Sequence, residues 1–243
     1  MAGSPASTSS GATVRTRRPR NSLNRDVIAA AAFAVTDRDG IGALTFEALG
    51  RELGAHATAI YRHFRDKDDL LLALTDQLHA QAQVEGLPQT DDWASDLRAT
   101  ALAIHRAFLA HPQVGQLVAA RTARSRREFA TVEHLVGCMR RAGLPPAEAA
   151  RCYRVFADTV LAYSSMDAAL AALDPRIRAA DLRSWEVEYR MLPEAEYPDV
   201  TAVVDHIPRL DDPGNFELAV ELMIESIRVR AKTPAQHRPG AQV

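Results

Sequence analysis

The chain has 243 residues, 47% of them apolar but only 6% aromatic, and 29 Lys and Arg against 31 Asp and Glu leave a net charge of −2. That length carries one sizeable core or two smaller ones, and the near-neutral balance excludes a protein that coats nucleic acid with its whole surface. Two cysteines, Cys138 and Cys152, supply neither a disulfide framework nor a metal spacing, and the early apolar run Ala29 to Val35 is too short for a signal peptide or a bilayer span.

Many Ala and Leu and no β-branched alternation predict an all-α protein, and the lack of a signal-peptide stretch or a spanning run predicts one located in the cytoplasm, with no membrane contact. Residues 1–22 are low in complexity and read as a disordered basic arm; residues 1–25 hold five arginines and no acid. Asn24 to Asp37 reads as an amphipathic helix, with Val27, Ala31 and Ala34 beside Ile28, Ala32 and Val35, closed by Gly40 and Gly42. Thr45 to Leu72 then has the grammar of helix, tight turn, helix. Thr45 suits an N-cap, Glu47 favours the first turn, and Leu44 with Leu49 makes a hydrophobic staple. Gly54 supplies the positive φ that ends this helix. A second helix of about two turns is expected from His56 to Phe64, and Asp66 and Asp69 open a third.

The middle helix is too short to stand alone, so one face must be packed. At 100° per residue Ala57, Ile60 and Phe64 share that face, and Thr58, Ala59 and Arg62 point away. A small outer face flanked by Tyr61 and His63 suits a major groove: Thr58, Ala59 and Arg62 reach base edges, while Tyr61, His63 and Lys67 reach phosphates. Arg17, Arg18 and Arg20 would extend this footprint along phosphates or into a minor groove. The alternative for the arm is a solvated tail.

Beyond Pro88 the pattern stays helical. Helices are expected from Asp91 to His111, on to about Ala120, from Ser125 to Gly143, from Pro146 to Leu173, and from Asn215 to Arg230. Residues 174–213 read as a short helix plus loop. Arg121, Arg124, Arg126 and Arg127 read as a solvated face or as carboxylate partners. His79, His105, His111 and His134 lack the i, i+4 spacing of a helix-borne metal pair, and exposed or singly hydrogen-bonded imidazoles are expected.

The segment Asn24 to Leu74 resembles the DNA-binding domain of the tetracycline-repressor (TetR) family. The matching residues are Ala34, Gly40 through Leu44-Thr45, Leu49-Gly50-Arg51-Glu52-Leu53-Gly54, Ile60-Tyr61-Arg62-His63-Phe64 and Lys67-Asp68-Asp69-Leu70-Leu71. The resemblance implies backbone contacts at Tyr61, His63 and Lys67 and base-reading positions at Ala57, Thr58, Ala59 and Arg62. Trp93 to Leu173 and Asn215 to Ala219 also resemble the family's C-terminal domain. This implies a head at 23–84 and an effector-binding and dimerisation body at 88–232; the tail at 233–243, with two prolines and a glycine, reads as disordered. The two late helices would form a four-helix bundle with those of a second copy. Gln83, Thr100, Ile104, Val132, Leu135 and Tyr153 fall where the effector pocket would be, implying a mostly apolar organic ligand. The family's metal-supporting positions fall near Val118 or Ala119 and near Met166, so no metal or cofactor is expected. The resemblance thus implies a non-enzymatic homodimeric repressor on a pseudo-palindromic double-stranded operator, released by a small organic effector. The rivals are an effector-independent regulator or activator, and a helical small-molecule-binding protein without DNA activity.

Overall fold

The computed structural model describes residues 23–82, 86 and 89–232. Over them the chain forms eleven α-helices joined by turns and short 3-10 segments. The basic arm with Arg17, Arg18 and Arg20, the tail at 233–243, and Gln83 lie outside the described residues.

Helix α1 spans Arg25–Asp39; the Asn24 side chain accepts the Val27 N–H at 2.8 Å, and Gly40 at φ +80 closes it. Ile28, Ala29, Ala32, Phe33, Val35 and Thr36 are all buried, so α1 is enclosed on most of its circumference. The apolar stripe expected from the sequence is corrected in two places. Ala34 is exposed, and Phe33 with Thr36 takes the inner positions.

Helix α2 spans Phe46–Leu53, and Thr45 Oγ1 accepts the Ala48 N–H at 3.1 Å. Its exit is a complete Schellman turn: Ala55 N–H donates to Gly50 O at 2.8 Å and Gly54 N–H to Arg51 O at 3.3 Å, with Gly54 at φ +64. Helix α3 is only Ala57–Ile60, shorter than the expected His56 to Phe64. Tyr61 to His63 form a hydrogen-bonded turn, because Ile60 and Phe64 are both drawn fully into the core and no side chain caps His56.

Helix α4 spans Lys67–Ala82, with Asp66 Oδ1 accepting the Asp69 N–H at 2.8 Å. Leu70, Leu74, Leu78 and Ala82 form its buried stripe and carry it from the head into the body. The body is built on α5, Trp93–Ala110, capped by Asp92 and buried along its length. Pro112 ends α5 and starts α6, Pro112–Val118. Ser125 caps α7, Arg126–Arg141, by accepting the Glu128 N–H at 3.1 Å. Helix α8, Pro146–Ala172, packs on α5, α6 and α7, and α11, Pro213–Lys232, packs on α5 and α8.

Between α8 and α11 the expected helix plus loop is two helices, α9 Pro175–Val187 and α10 Pro198–Val203, with 3-10 turns beside them. None of these segments buries a residue, and they pack chiefly on one another. No helix among the described residues is long and apolar enough to cross a membrane.

Candidate nucleic-acid interface and body cavity

At the head, Thr45, Thr58, Tyr61, Arg62 and Lys67 are exposed. Ala59 and His63 are half-buried, and Ala57 packs against the core, which leaves its methyl the least reachable of the expected contacts. Tyr61 is 55% exposed, yet its ring meets Phe46 edge to face with centroids 4.6 Å apart, so α2 fixes its direction. Thr45 holds its cap and remains at the surface. The head therefore exposes hydroxyls and a guanidinium on α3, the turn after it and the cap of α2, and an ammonium at the first residue of α4.

Arg25, which the sequence pattern did not single out, braces this surface from behind. Its guanidinium lies 4.1 Å from the Phe64 ring centroid, donates to the His63 carbonyl, and pairs with Asp69 at 2.8 Å. The Arg25 hydrogen bond holds the Asp69 carboxyl below its ordinary range against the upward push of burial. No pattern of caps or periods reports such a contact, because Arg25 and Asp69 are 44 residues apart.

In the body a cavity of ≈ 80 Å³ lies between α4, α5, α7 and α8 and reaches the turn after α6. Ile104, Val132, Leu135 and Tyr153 line it. Thr100 does not; it is fully buried on α5 and its hydroxyl donates to the Asp96 carbonyl at 2.8 Å. Val118 and Ala119 line the wall with apolar carbon. The polar lining missed in the sequence comprises His79, Arg121, Glu128, Thr75 and Thr131. The two threonine hydroxyls donate to carbonyls of their own helices, Leu71 and Arg127. Burial pushes the His79 imidazole below its ordinary range, against the attraction of Glu128 and Asp76, so it is neutral at pH 7. Burial also pushes the Tyr153 phenol up.

The other histidines take structural places. His105 pairs with Asp167 at 2.8 Å and stacks on Phe216; His111 pairs with Asp37 at 2.7 Å. His134 is buried near Asp96 and Arg141; its imidazole is hydrogen-bonded to the backbone of Asp96, while Nε2 has no partner, which is the singly bonded state expected. No cluster of three or more candidate metal ligands occurs among the described residues.

Ion pairs tie α4 to the cavity rim. Arg121 pairs with Asp68 at 2.7 Å, and Arg127 with Asp76 at 2.6 Å. Between them Arg124 sits at φ +54, a region that a side chain disfavours, with its N–H donating to Glu128 at 2.5 Å.

Comparison with known proteins adds three kinds of likeness. The sequence profile of bacterial regulatory proteins of the tetR family matches residues 28–74, and that of the tetracyclin repressor-like C-terminal domain matches residues 85–231. A helix-turn-helix-type transcriptional repressor of Mycobacterium tuberculosis is 36% identical over 113 residues, which is 46% of this chain and 43% of that protein. The match thus spans less than half the length of that relative. A TetR transcriptional regulator from Streptomyces coelicolor superposes with a TM-score of 0.72 at 28% identity, over 87% of this chain and all of the other. The Streptomyces coelicolor TetR-family protein ActR, in complex with actinorhodin, superposes with a TM-score of 0.76 at 22% identity, over 87% of this chain and 98% of that one.

Proposed function

This chain belongs to the tetracycline-repressor family of bacterial regulatory proteins, and from that premise we propose that it is a homodimeric transcriptional repressor that a small organic effector releases from its operator. The observation that carries the DNA half is the exposed set of Thr58, Tyr61 and Arg62 on a braced short helix and its flanking turn, with Lys67 at the start of α4. Thr58, Ala59 and Arg62 read base edges in a major groove, and Tyr61, His63 and Lys67 hold phosphates. The small side chains at 57 and 59 favour thymine-methyl contact or DNA shape over bidentate readout.

The dimer reading is supported by two exposed apolar stripes. Val155 and Met166 on α8 and Leu218, Leu222 and Val229 on α11 are each more than half exposed, and the spacings follow one face of each helix. Covering them with the same helices of a second copy sets two heads at a fixed separation on a pseudo-palindromic site. In this reading the protein acts in the cytoplasm.

The effector reading is supported by the cavity of ≈ 80 Å³ under α4. Drug-sized ligands occupy pockets of about 300 Å³ or more, so an occupant must spread the walls. One wall is the turn after α6, which is tied by Arg121 to the first turn of α4. Spreading it displaces α4 and with it the head. The coupling between effector and DNA is of the order of 1–3 kcal/mol.

The test is fluorescence anisotropy of a duplex from the gene's own upstream region against a scrambled duplex, titrated with salt. Selective binding is expected, with a Tyr61→Ala, Lys67→Ala double variant losing at least tenfold and showing a shallower salt slope. Unchanged operator binding by that variant would sink the docking geometry.

A further inference from the structure

We propose that the cavity under α4 takes an organic anion, an apolar ring body carrying a carboxylate or a comparably acidic oxygen, and that Arg121 exchanges Asp68 for it. The inference deepens the effector reading above and rests on it.

Arg121 is the one arginine or lysine among the described lining residues, and His79 beside it is neutral. The other charged lining residue, Glu128, accepts the Arg124 N–H in the first turn of α7. Arg127, also at the rim, is held by Asp76 on α4. Thr75 and Thr131 spend their hydroxyls within their own helices. A ligand oxygen entering the cavity therefore meets Arg121, with His79 and Tyr153 as the remaining polar lining groups.

The present partner of Arg121 is easily displaced. Asp68 is 60% exposed and Arg121 34%, so their ion pair at 2.7 Å is a surface contact of small net value. An anion bound against the apolar wall of Val118, Ala119, Val132 and Leu135 meets the same guanidinium in a lower dielectric, where the attraction is larger. Exchange then leaves Asp68 uncompensated in the first turn of α4, one residue after Lys67. A carboxylate that Arg121 had neutralised becomes an unpaired negative charge at the start of the helix that joins head to body. The same event removes one of the two ion pairs between the cavity rim and α4 and leaves that of Arg127 with Asp76.

Isothermal titration of the full chain with 2-naphthoate and 2-naphthamide tests this, since the two probes share a ring body and differ in charge. The wild type is expected to bind the carboxylate at least tenfold more tightly than the amide. Arg121→Gln is expected to bind both alike. Asp68→Asn is expected to bind the carboxylate severalfold more tightly than the wild type, because the competing carboxylate is gone. Thermal melts of both variants check folding; should Arg121→Gln fail to fold, the Asp68→Asn gain decides. Equal binding of the two probes, a preference for the amide, retained discrimination in Arg121→Gln, or no binding of either overturns the proposal. An unchanged Asp68→Asn affinity overturns the exchange. Amide-preferring binding overturns the anion and leaves the effector cavity standing, and the DNA reading is decided separately by the duplex titration.

Discussion

Arg25 joins three parts of the head through one guanidinium: the Phe64 ring, the His63 carbonyl and the Asp69 carboxylate. Replacing it with alanine removes a cation–π contact and a partly exposed ion pair, together worth about 1–2 kcal/mol. The urea midpoint of Arg25→Ala is expected to fall with an unchanged slope, and operator affinity to fall with it as the turn after α3 loosens. Gly50 is a harder constraint. A Cβ there would lie 2.8 Å from the Ala55 carbonyl oxygen and 3.2 Å from the Ala57 nitrogen, both backbone atoms that cannot swing aside. Gly50→Ala, normally favourable in a helix, is expected here to destabilise by about 1–3 kcal/mol, read as a lower thermal midpoint. Neither residue's role follows from sequence spacing. Gly50 sits mid-helix, where glycine signals only weakness, and the partners of Arg25 lie 38 to 44 residues away.

Helix ends were readable and helix neighbours were not. Thr45, Gly54 and Asp66 cap where the sequence expects, and the helices expected from Asp91 and Ser125 begin one or two residues later behind the caps Asp92 and Ser125, because a cap is a local bond between a side chain and a backbone group within three residues. The length of α3 and the segments α9 and α10 escaped. The first is set by the core drawing in Ile60 and Phe64, and the others have no buried face to impress a period on the sequence. Thr100 was misjudged for a related reason: α5 is buried nearly all round, so periodicity cannot say which side meets the cavity. Arg121 and Glu128 were invisible as lining because the turn that aims them contains a positive φ at Arg124. The pairing of α7 with α5 carries a pH prediction. Burial depresses the pKa of His134 and of His79 in the folded chain, so the unfolded chain binds more protons as pH falls through about 6.5. The stability these histidines contribute is present above that pH and is lost below it. The thermal midpoint is expected to drop between pH 7.5 and 5.5, and His134→Leu to flatten that drop. The carboxylate pairs of Asp69 and Asp96 titrate below the ordinary range and leave this window alone.

For the whole molecule, the proposed dimer rests on the stripes of α8 and α11 that stand exposed among the described residues. Val155 and Leu222 are each 64% exposed, and Val155→Asp with Leu222→Asp is expected to convert a sedimenting dimer to monomer. Loss of operator binding should accompany that change while the helical content stays constant. Within the head, Gly50 lies so close to the backbone of Ala55 and Ala57 that no side chain fits at that point between α2 and the start of α3. There the two helices meet through peptide groups, whose positions no rotamer can adjust. Each head is consequently a rigid jaw at this joint. In the proposed dimer, a signal arriving along α4 would reach the DNA as a change in the gap between two jaws, in the way a caliper gauges length without bending its points.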